Sequence, residues 1–237
     1  MNRLSLLNNQ FSSQETAELT HIAQAPADPI LNLSTGYKND KNPNRVNLGV
    51  GAYRDDNGKP YVFPVVRKAE EMIVANKSLD KEYSPIDGDQ AFNKGARGVL
   101  FGWNHADVSS GRVASAQTLS GTGALRIIGE FLAKFRPSAI YVSNPTWGNH
   151  NSVFKNCGLD VRQYRYFDKK TKGLDFAGMV ADLRNATPGS CVLLHTCAHN
   201  PTGVDPTLDQ WKVLAQVCRE NKLYPFFDTA YQGFVTG

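Results

Sequence analysis

The stretch "PFFDTAYQGF", Pro225 to Phe234, carries an acid and a phenol three residues apart behind an apolar run. The run reads as a buried strand that ends on Asp228 and leaves Tyr231 just beyond it. A carboxylate there needs a partner, because an uncompensated buried charge is costly. A protonated ring nitrogen is one such partner, and a charge-assisted bond of this kind contributes about 1.5–3 kcal/mol. The Tyr231 hydroxyl can then donate to an oxygen on the same ring. The plainer alternative is an aspartate that caps a following helix.

Three other segments have the composition of strand-end loops. "SGTGALR", Ser120 to Arg126, is a small glycine-bearing turn that opens a helix. Backbone N–H groups at a helix N-terminus bind phosphate, and the Ser120 and Thr122 hydroxyls add donors. A tight strand–helix turn capped by Ser120 is an equal reading. A dinucleotide fingerprint would need a third small residue where Arg126 stands, and no Walker lysine follows. "NPTWGNH" brings Trp147 to a strand end, where an indole stacks on a flat ligand or packs in the core. "HTCAHNPTG" holds His195 and His199 four apart, without an accompanying acid and without the helical face of a zinc-binding pair. They read as polar support rather than metal ligands, and no metal is expected. Asn200, before Pro201, is a turn residue whose side chain is also able to donate to a ligand oxygen.

A pattern of strands alternating with 10–15-residue helices must position these groups. From residue 112 the order is strand 112–119, helix 123–135, strand 139–143, helix 148–157, strand 161–167, helix 175–186, strand 190–196, helix 207–221 and strand 224–228. That alternation implies an α/β fold, a mainly parallel sheet with helices on both faces. In such a sheet, ligands sit beyond the carboxyl ends of the strands, where all four segments fall. Upstream, residues 1–45 are polar and broken by Pro26, Pro29, Gly36 and Pro43. They read as an arm with a short helix over 13–25 capped by Ser13. A strand is expected over Val46–Val50, a turn at Asp56-Asn57-Gly58, and helices over 64–78 and 89–102.

Composition narrows the function. The 237 residues are 41% hydrophobic and 20% charged, with a net charge of +4, enough for an ordinary globular core. Lys169, Lys170 and Lys172 form the one short basic cluster, too small for a nucleic-acid stripe. No apolar stretch has the length of a membrane span. Cys157, Cys191, Cys197 and Cys218 form no C-x-x-C pair, which suits reduced thiols in a cytosol-like compartment. The N-terminal "MNRLSLLNNQFSSQ" has one basic residue, weak grounds for a mitochondrial signal, so a cytoplasmic location is expected.

A phosphate cup, an aromatic plate, a carboxylate for a ring nitrogen, and an amide plus a phenol for a ring oxygen together describe a site for pyridoxal 5'-phosphate. There the acid–pyridinium pair makes the ring an electron sink. At this point the chain resembles the class I pyridoxal-phosphate-dependent aminotransferases, fold type I, and within them the aspartate-specific branch. "VNLGVGAYRDDNGKPYVFPVVRKAE", "EYSPIDG", "LSGTGALRIIGEFL", "PTWGNHNSVF", "HTCAHNPTGVDPTLDQW" and "PFFDTAYQGF" match in order and spacing, from about Asp28 to Gly237.

The resemblance implies roles for individual residues. Ser120, Gly121 and Thr122 hold the cofactor phosphate, and Tyr83 reaches the phosphate of a partner subunit in a homodimer. Trp147 lies on the ring and touches substrate. Asn200 and Tyr231 take the ring oxygen, and Asp228 takes the ring nitrogen. Gly51 lies against the substrate carboxylate, while His150 and His199 support the ring and Asp228. The implied reaction interconverts L-aspartate and 2-oxoglutarate with oxaloacetate and L-glutamate. The implied division is an arm and part of a small domain over residues 1–60, then an incomplete large cofactor-binding domain over 61–237.

The chain departs from the family in one decisive respect. No lysine follows Asp228, the last being Lys222. The family's Schiff-base lysine and carboxylate-binding arginines belong to later segments. The expectation is therefore an N-terminal portion that does not transaminate alone. The alternative is a non-catalytic fragment that binds full-length subunits.

Overall fold

The computed structural model describes residues 22–24, 29–47, 49 and 51–235. The expected helix over 13–25 lies outside these residues except for 22–24, which are not helical. The chain forms two compact units, Met1–Lys81 and Glu82–Gly237.

The first unit contains helices α1 (Pro29–Asn39) and α2 (Pro64–Ala75). Each begins on a proline, whose fixed φ and missing N–H suit the first helical turn. α1 was not anticipated, because Gly36 in its interior reads as a breaker. The strand expected over Val46–Val50 is absent at Val46, Asn47 and Gly49; its other two residues lie outside the described ones. The Asn47 side chain accepts the Gly49 N–H at 3.0 Å, a local turn that competes with strand pairing. The turn at Asp56-Asn57-Gly58 forms as expected. Gly58 has φ +71°, and the Asp55 carboxylate accepts N–H bonds from Asn57 and Lys59.

The second unit opens with α3 (Gln90–Phe101), capped by the Asp89 carboxylate on the Phe92 N–H, and the short α4 (Ala106–Ser109). The strand expected over 112–119 is corrected: that segment joins no sheet. Its polar groups are spent locally. Gln117 N–H donates to the Asp87 carbonyl, the Gln117 side-chain oxygen accepts from Asp89 N–H, and Arg97 donates to the Ser115 hydroxyl.

There follow α5 (Ser120–Phe135), β1 (Ile140–Asn144), α6 (Gly148–Asn156), β2 (Val161–Arg165), β3 (Phe167–Asp168), β4 (Gly173–Leu174), α7 (Phe176–Arg184), β5 (Cys191–His195), α8 (Leu208–Glu220) and β6 (Tyr224–Asp228). β2 stops two residues earlier than expected, because Phe167 and Asp168 pair antiparallel with β4. β1, β2, β5 and β6 form an all-parallel sheet in the order β2-β1-β5-β6.

Side-chain alternation sends each strand's residues to two cores. Ile140, Val142, Cys191 and Leu193 pack with Leu125 and Leu132 of α5 and Phe154 of α6. Tyr141, Val192 and Leu194 pack on the other face with Met179 and Leu183 of α7 and Leu214 and Val217 of α8. Central β5 is buried at all five positions, as a strand covered on both faces must be. β6 pairs only with β5, and its Phe227 is half exposed.

The direction of travel through the sheet changes at β1. The chain steps outward to β2 through α6 on one face, then returns past β1 to β5 and on to β6 with α7 and α8 on the opposite face. Uniformly right-handed crossovers require that opposite steps use opposite faces. In a sheet with this order the ligand site is expected beyond the carboxyl ends of β1 and β5, where the chain reverses direction.

Candidate functional site

The candidate site is lined by the ends of β1, β5 and β6 and by the first turn of α6. Asp228 is the last residue of β6, with His195 opposite it on β5. His150 lies in the first turn of α6, completely buried. Its Nε2 is 2.8 Å from Asp228 Oδ2. Its Nδ1 is 2.8 Å from the Thr146 hydroxyl, which in turn is 3.4 Å from His195 Nε2. His195 Nδ1 accepts the backbone N–H of Asn200 at 3.2 Å.

That backbone bond orders the whole chain. An amide N–H only donates, so His195 Nδ1 holds a lone pair and its proton sits on Nε2. Nε2–H then points to Thr146, whose own proton goes to His150 Nδ1. His150 is left with Nε2–H, which donates to the Asp228 carboxylate. Every donor from Asn200 onward points toward the one negative charge, and such aligned chains strengthen each member. Asp228 Oδ1 remains to accept from a ligand.

His199 forms a separate anchor. Its Nε2 is 2.8 Å from the Ser143 hydroxyl on β1 and its Nδ1 2.8 Å from the Thr202 hydroxyl. Its ring stacks on Tyr166 at 3.8 Å between centroids and lies 4.2 Å from the His195 ring. All six ring nitrogens of the three histidines thus have protein partners, and none is turned outward as a metal ligand.

The charge states follow from burial. Burial first, then the neighbouring imidazole of His150, pushes His195 down to about 4. Burial, then His195 and His150, pushes His199 down to about 3. Both rings are neutral at neutral pH. The His150 bond outweighs burial at Asp228 and holds its carboxyl below the ordinary range. The ionised Asp228 carboxylate beside the neutral His195 ring favours a cationic ligand atom.

The Asn200 loop is held from several sides. Asp205 accepts the N–H groups of Ala198 and His199 at 2.7 and 2.9 Å, and the Tyr166 hydroxyl donates to the Val204 carbonyl at 2.7 Å. Ala198 has φ +47°, a left-handed conformation that a residue with a Cβ adopts only when its surroundings impose it. The Asn144–Pro145 and Asn200–Pro201 peptide bonds are both cis.

The structure brings Trp147, His150, His199, Asn200 and Asp228 to the strand ends. The Trp147 indole meets the His150 ring edge-on at 5.4 Å. His199 supports the cluster through Ser143 and His195; it makes no bond to Asp228 itself. Tyr231 lies three residues beyond β6, partly buried. Ser120, Gly121 and Thr122 form the exposed first turn of α5, with Ser120 at its start in the left-handed region at φ +60°. The helix has no side-chain cap, so Ser120 is not one. A Cβ on Gly121 would have no neighbour within 4 Å, so the turn is open to an anion. Among the described residues no hydrogen bond or ring contact joins this turn, or fully exposed Tyr83, to the strand-end cluster. Gly51 belongs to the first unit and is exposed.

One member was not expected from sequence: Thr146, the link between two histidines. His195, read as polar support, is also the ring that accepts the Asn200 backbone N–H. Both strand-end positions were visible; nothing in a linear sequence shows that the two side chains touch.

Known proteins are similar to this chain in sequence and fold. The chain is 55% identical over 217 residues to a cytoplasmic aspartate aminotransferase of Oryza sativa subsp. japonica, covering 91% of this chain and 53% of that protein. Other curated relatives have chloroplastic and mitochondrial names. Among solved structures, the aspartate aminotransferase from Saccharomyces cerevisiae cytoplasm matches with a TM-score of 0.85 at 42% identity, over 92% of this chain and 53% of that one. An aromatic-amino-acid aminotransferase from Burkholderia pseudomallei, covalently bound to pyridoxal phosphate, matches with a TM-score of 0.85 at 41% identity, over 91% and 54% of the two chains. The chain thus spans about half the length of the relatives it matches. The model of the family "aminotransferase class I and II" matches residues 43–237, which takes in the sheet, the histidine chain and Asp228. A parallel sheet with Asp228 at the end of one strand, and a sequence that fits this family from Pro43 to Gly237, make the chain a member of the class I and II aminotransferases.

Proposed function

We propose that this chain carries the pyridoxal 5'-phosphate cradle of an aspartate aminotransferase, whose substrates are L-aspartate, L-glutamate and their 2-oxo acids. The observation that carries the reading is the Asp228 carboxylate, held ionised by His150 at the strand ends and backed by the Thr146–His195–Asn200 chain. The residues fit the group: an ionised acid for its ring nitrogen, and an uncapped helix start for its phosphate.

In this reading the α5 turn at Ser120, Gly121 and Thr122 takes the phosphate, joined by Tyr83 of a second subunit in a homodimer. Trp147 covers one face of the ring and excludes water from it. Asn200 and Tyr231 orient the ring oxygen, and Gly51 lies by the substrate carboxylate. The cofactor, when bound, supplies an electron sink at the substrate α-carbon. Asp228 keeps the ring-nitrogen proton in place by its charge, and His150 holds Asp228 in the charged form. Residues 1–60 are assigned to an arm and part of a small domain, and 61–237 to the large cofactor-binding domain. The cytoplasm is the proposed compartment, as named for the rice relative and the yeast enzyme.

No lysine follows Asp228 in these 237 residues, so the polypeptide by itself has no residue in the family position for Schiff-base formation and proton transfer. It is expected to bind the cofactor without turning over aspartate. Titration of the 237-residue protein with pyridoxal 5'-phosphate, followed by tryptophan fluorescence, tests the binding. Quenching that inorganic phosphate reverses and NAD does not reproduce is the expected result. Asp228→Ala is expected to weaken binding by about 10–150-fold, the loss of a charge-assisted bond of about 1.5–3 kcal/mol. Equal binding of NAD, or indifference to Asp228→Ala, would overturn the assignment.

A further inference from the structure

We infer that Asp205 is the positioning residue for Asn200 and, through it, for the donor order that ends on Asp228. Asn200 rides on the loop between β5 and α8, where no strand or helix ladder fixes it. Its immediate predecessors are fixed by one carboxylate. Asp205 Oδ2 accepts from Ala198 N–H at 2.7 Å and Oδ1 accepts from His199 N–H at 2.9 Å. The two N–H groups converge because Ala198 is left-handed, and a carboxylate is the acceptor best able to hold such a pair.

The consequence is transmitted by the backbone. With Ala198 and His199 clamped, the next N–H, that of Asn200, is delivered to His195 Nδ1. That bond alone places the His195 proton on Nε2 and starts the chain through Thr146 and His150 to Asp228. Asp205 makes no hydrogen bond to Asp228; it holds the loop through the Ala198 and His199 N–H groups, and its charge also favours the protonated form of His195. Nearby Tyr166 and Thr202 hold the loop's far side and the His199 ring, not the Asn200 N–H.

The cofactor part of this inference rests on the proposed function; the tautomer part does not. The test uses the 237-residue protein with Asp205→Ala and the milder Asp205→Asn, whose amide oxygen still accepts one bond. Long-range proton–nitrogen NMR of the histidine rings reads the His195 tautomer, and hydrogen exchange reads the Asn200 N–H. Wild type is expected to show His195 as a single tautomer with unprotonated Nδ1. Asp205→Ala is expected to give averaged ring-nitrogen shifts for His195 and at least tenfold faster exchange at Asn200. Exchange at Val142 and Leu193 in the sheet should be unchanged. Asp205→Asn should fall between, and it decides the matter if Asp205→Ala does not fold. Cofactor affinity should drop about tenfold in parallel. A folded variant with the wild-type His195 tautomer and unchanged Asn200 exchange overturns the role of Asp205. Absence of cofactor binding by wild type, with the tautomer effect present, overturns the proposed function and leaves Asp205 in place.

Discussion

Acidification should weaken the second unit well above the pH at which its carboxylates titrate, and the two buried neutral histidines set how steeply. In the native protein His195 titrates at about 4 and His199 at about 3. Unfolded, each returns to about 6.5. A group whose folded value is depressed binds protons in the unfolded state first, so stability falls as pH drops below 6.5 and the loss stops only near the folded values. Between pH 7.5 and 5.0 this linkage amounts to about 2 kcal/mol for each ring, about 4 kcal/mol together, against a total near 5–15 kcal/mol for a typical domain. Asp228 adds nothing in this window. Its folded value is depressed too, and as an acid it keeps its contribution until pH falls below its unfolded value of about 3.9. Urea unfolding followed by tryptophan fluorescence at the two pH values should show a midpoint shift of about 2 M, for a slope near 2 kcal/mol per molar. His199→Gln keeps a polar group in place but removes one titration, and it should halve the difference between the two pH values whatever it does to stability at pH 7.5. A pH-induced loss below about 1 kcal/mol in wild type, or the same loss in His199→Gln, would refute the charge states assigned to these rings.

Other outcomes follow from single contacts. Gly129 lies where α5 meets α6, and a Cβ there would come within 2.7 Å of Cys157 Sγ and 3.3 Å of Phe154. Gly129→Ala should therefore destabilise by about 1–2 kcal/mol in thermal or urea unfolding, since overpacking outweighs the helix gain of about 1 kcal/mol. In a Cys157→Ala background the sulfur is gone, and the same change should be neutral or stabilising; a second loss of the same size there would mean that the clash is not the cause.

Much of this molecule was written locally. The alternation of short apolar runs with amphipathic helices marked β1, β5, β6 and the helices between them. The ligand side followed, because strand ends in such sheets share one edge. Asp228 declared itself as an acid at the end of an apolar run, and Trp147 and Asn200 as residues of strand-end loops. Where local signals failed, a longer-range or competing interaction took over. Residues 112–119 have strand-like composition, yet strand status depends on a neighbour, and their polar groups went to Asp87, Asp89 and Arg97. At Val46, Asn47 and Gly49 the Asn47 side chain competes with strand pairing, and Phe167 left β2 to pair with β4.

Within the site, the sequence by itself determined which chemical groups are available: one carboxylate, three imidazoles, an indole, an amide and a phenol on segments that end near each other. Their protonation and order were decided by tertiary structure alone. His150 and Asp228 are 78 residues apart in sequence and 2.8 Å apart in space. Burial makes His195 and His199 neutral, and one backbone N–H, from Asn200, sets the direction of every proton between it and Asp228. Burial and hydrogen-bond direction depend on which groups meet in three dimensions, so the alternation of residue types that encodes the strands and helices does not contain them.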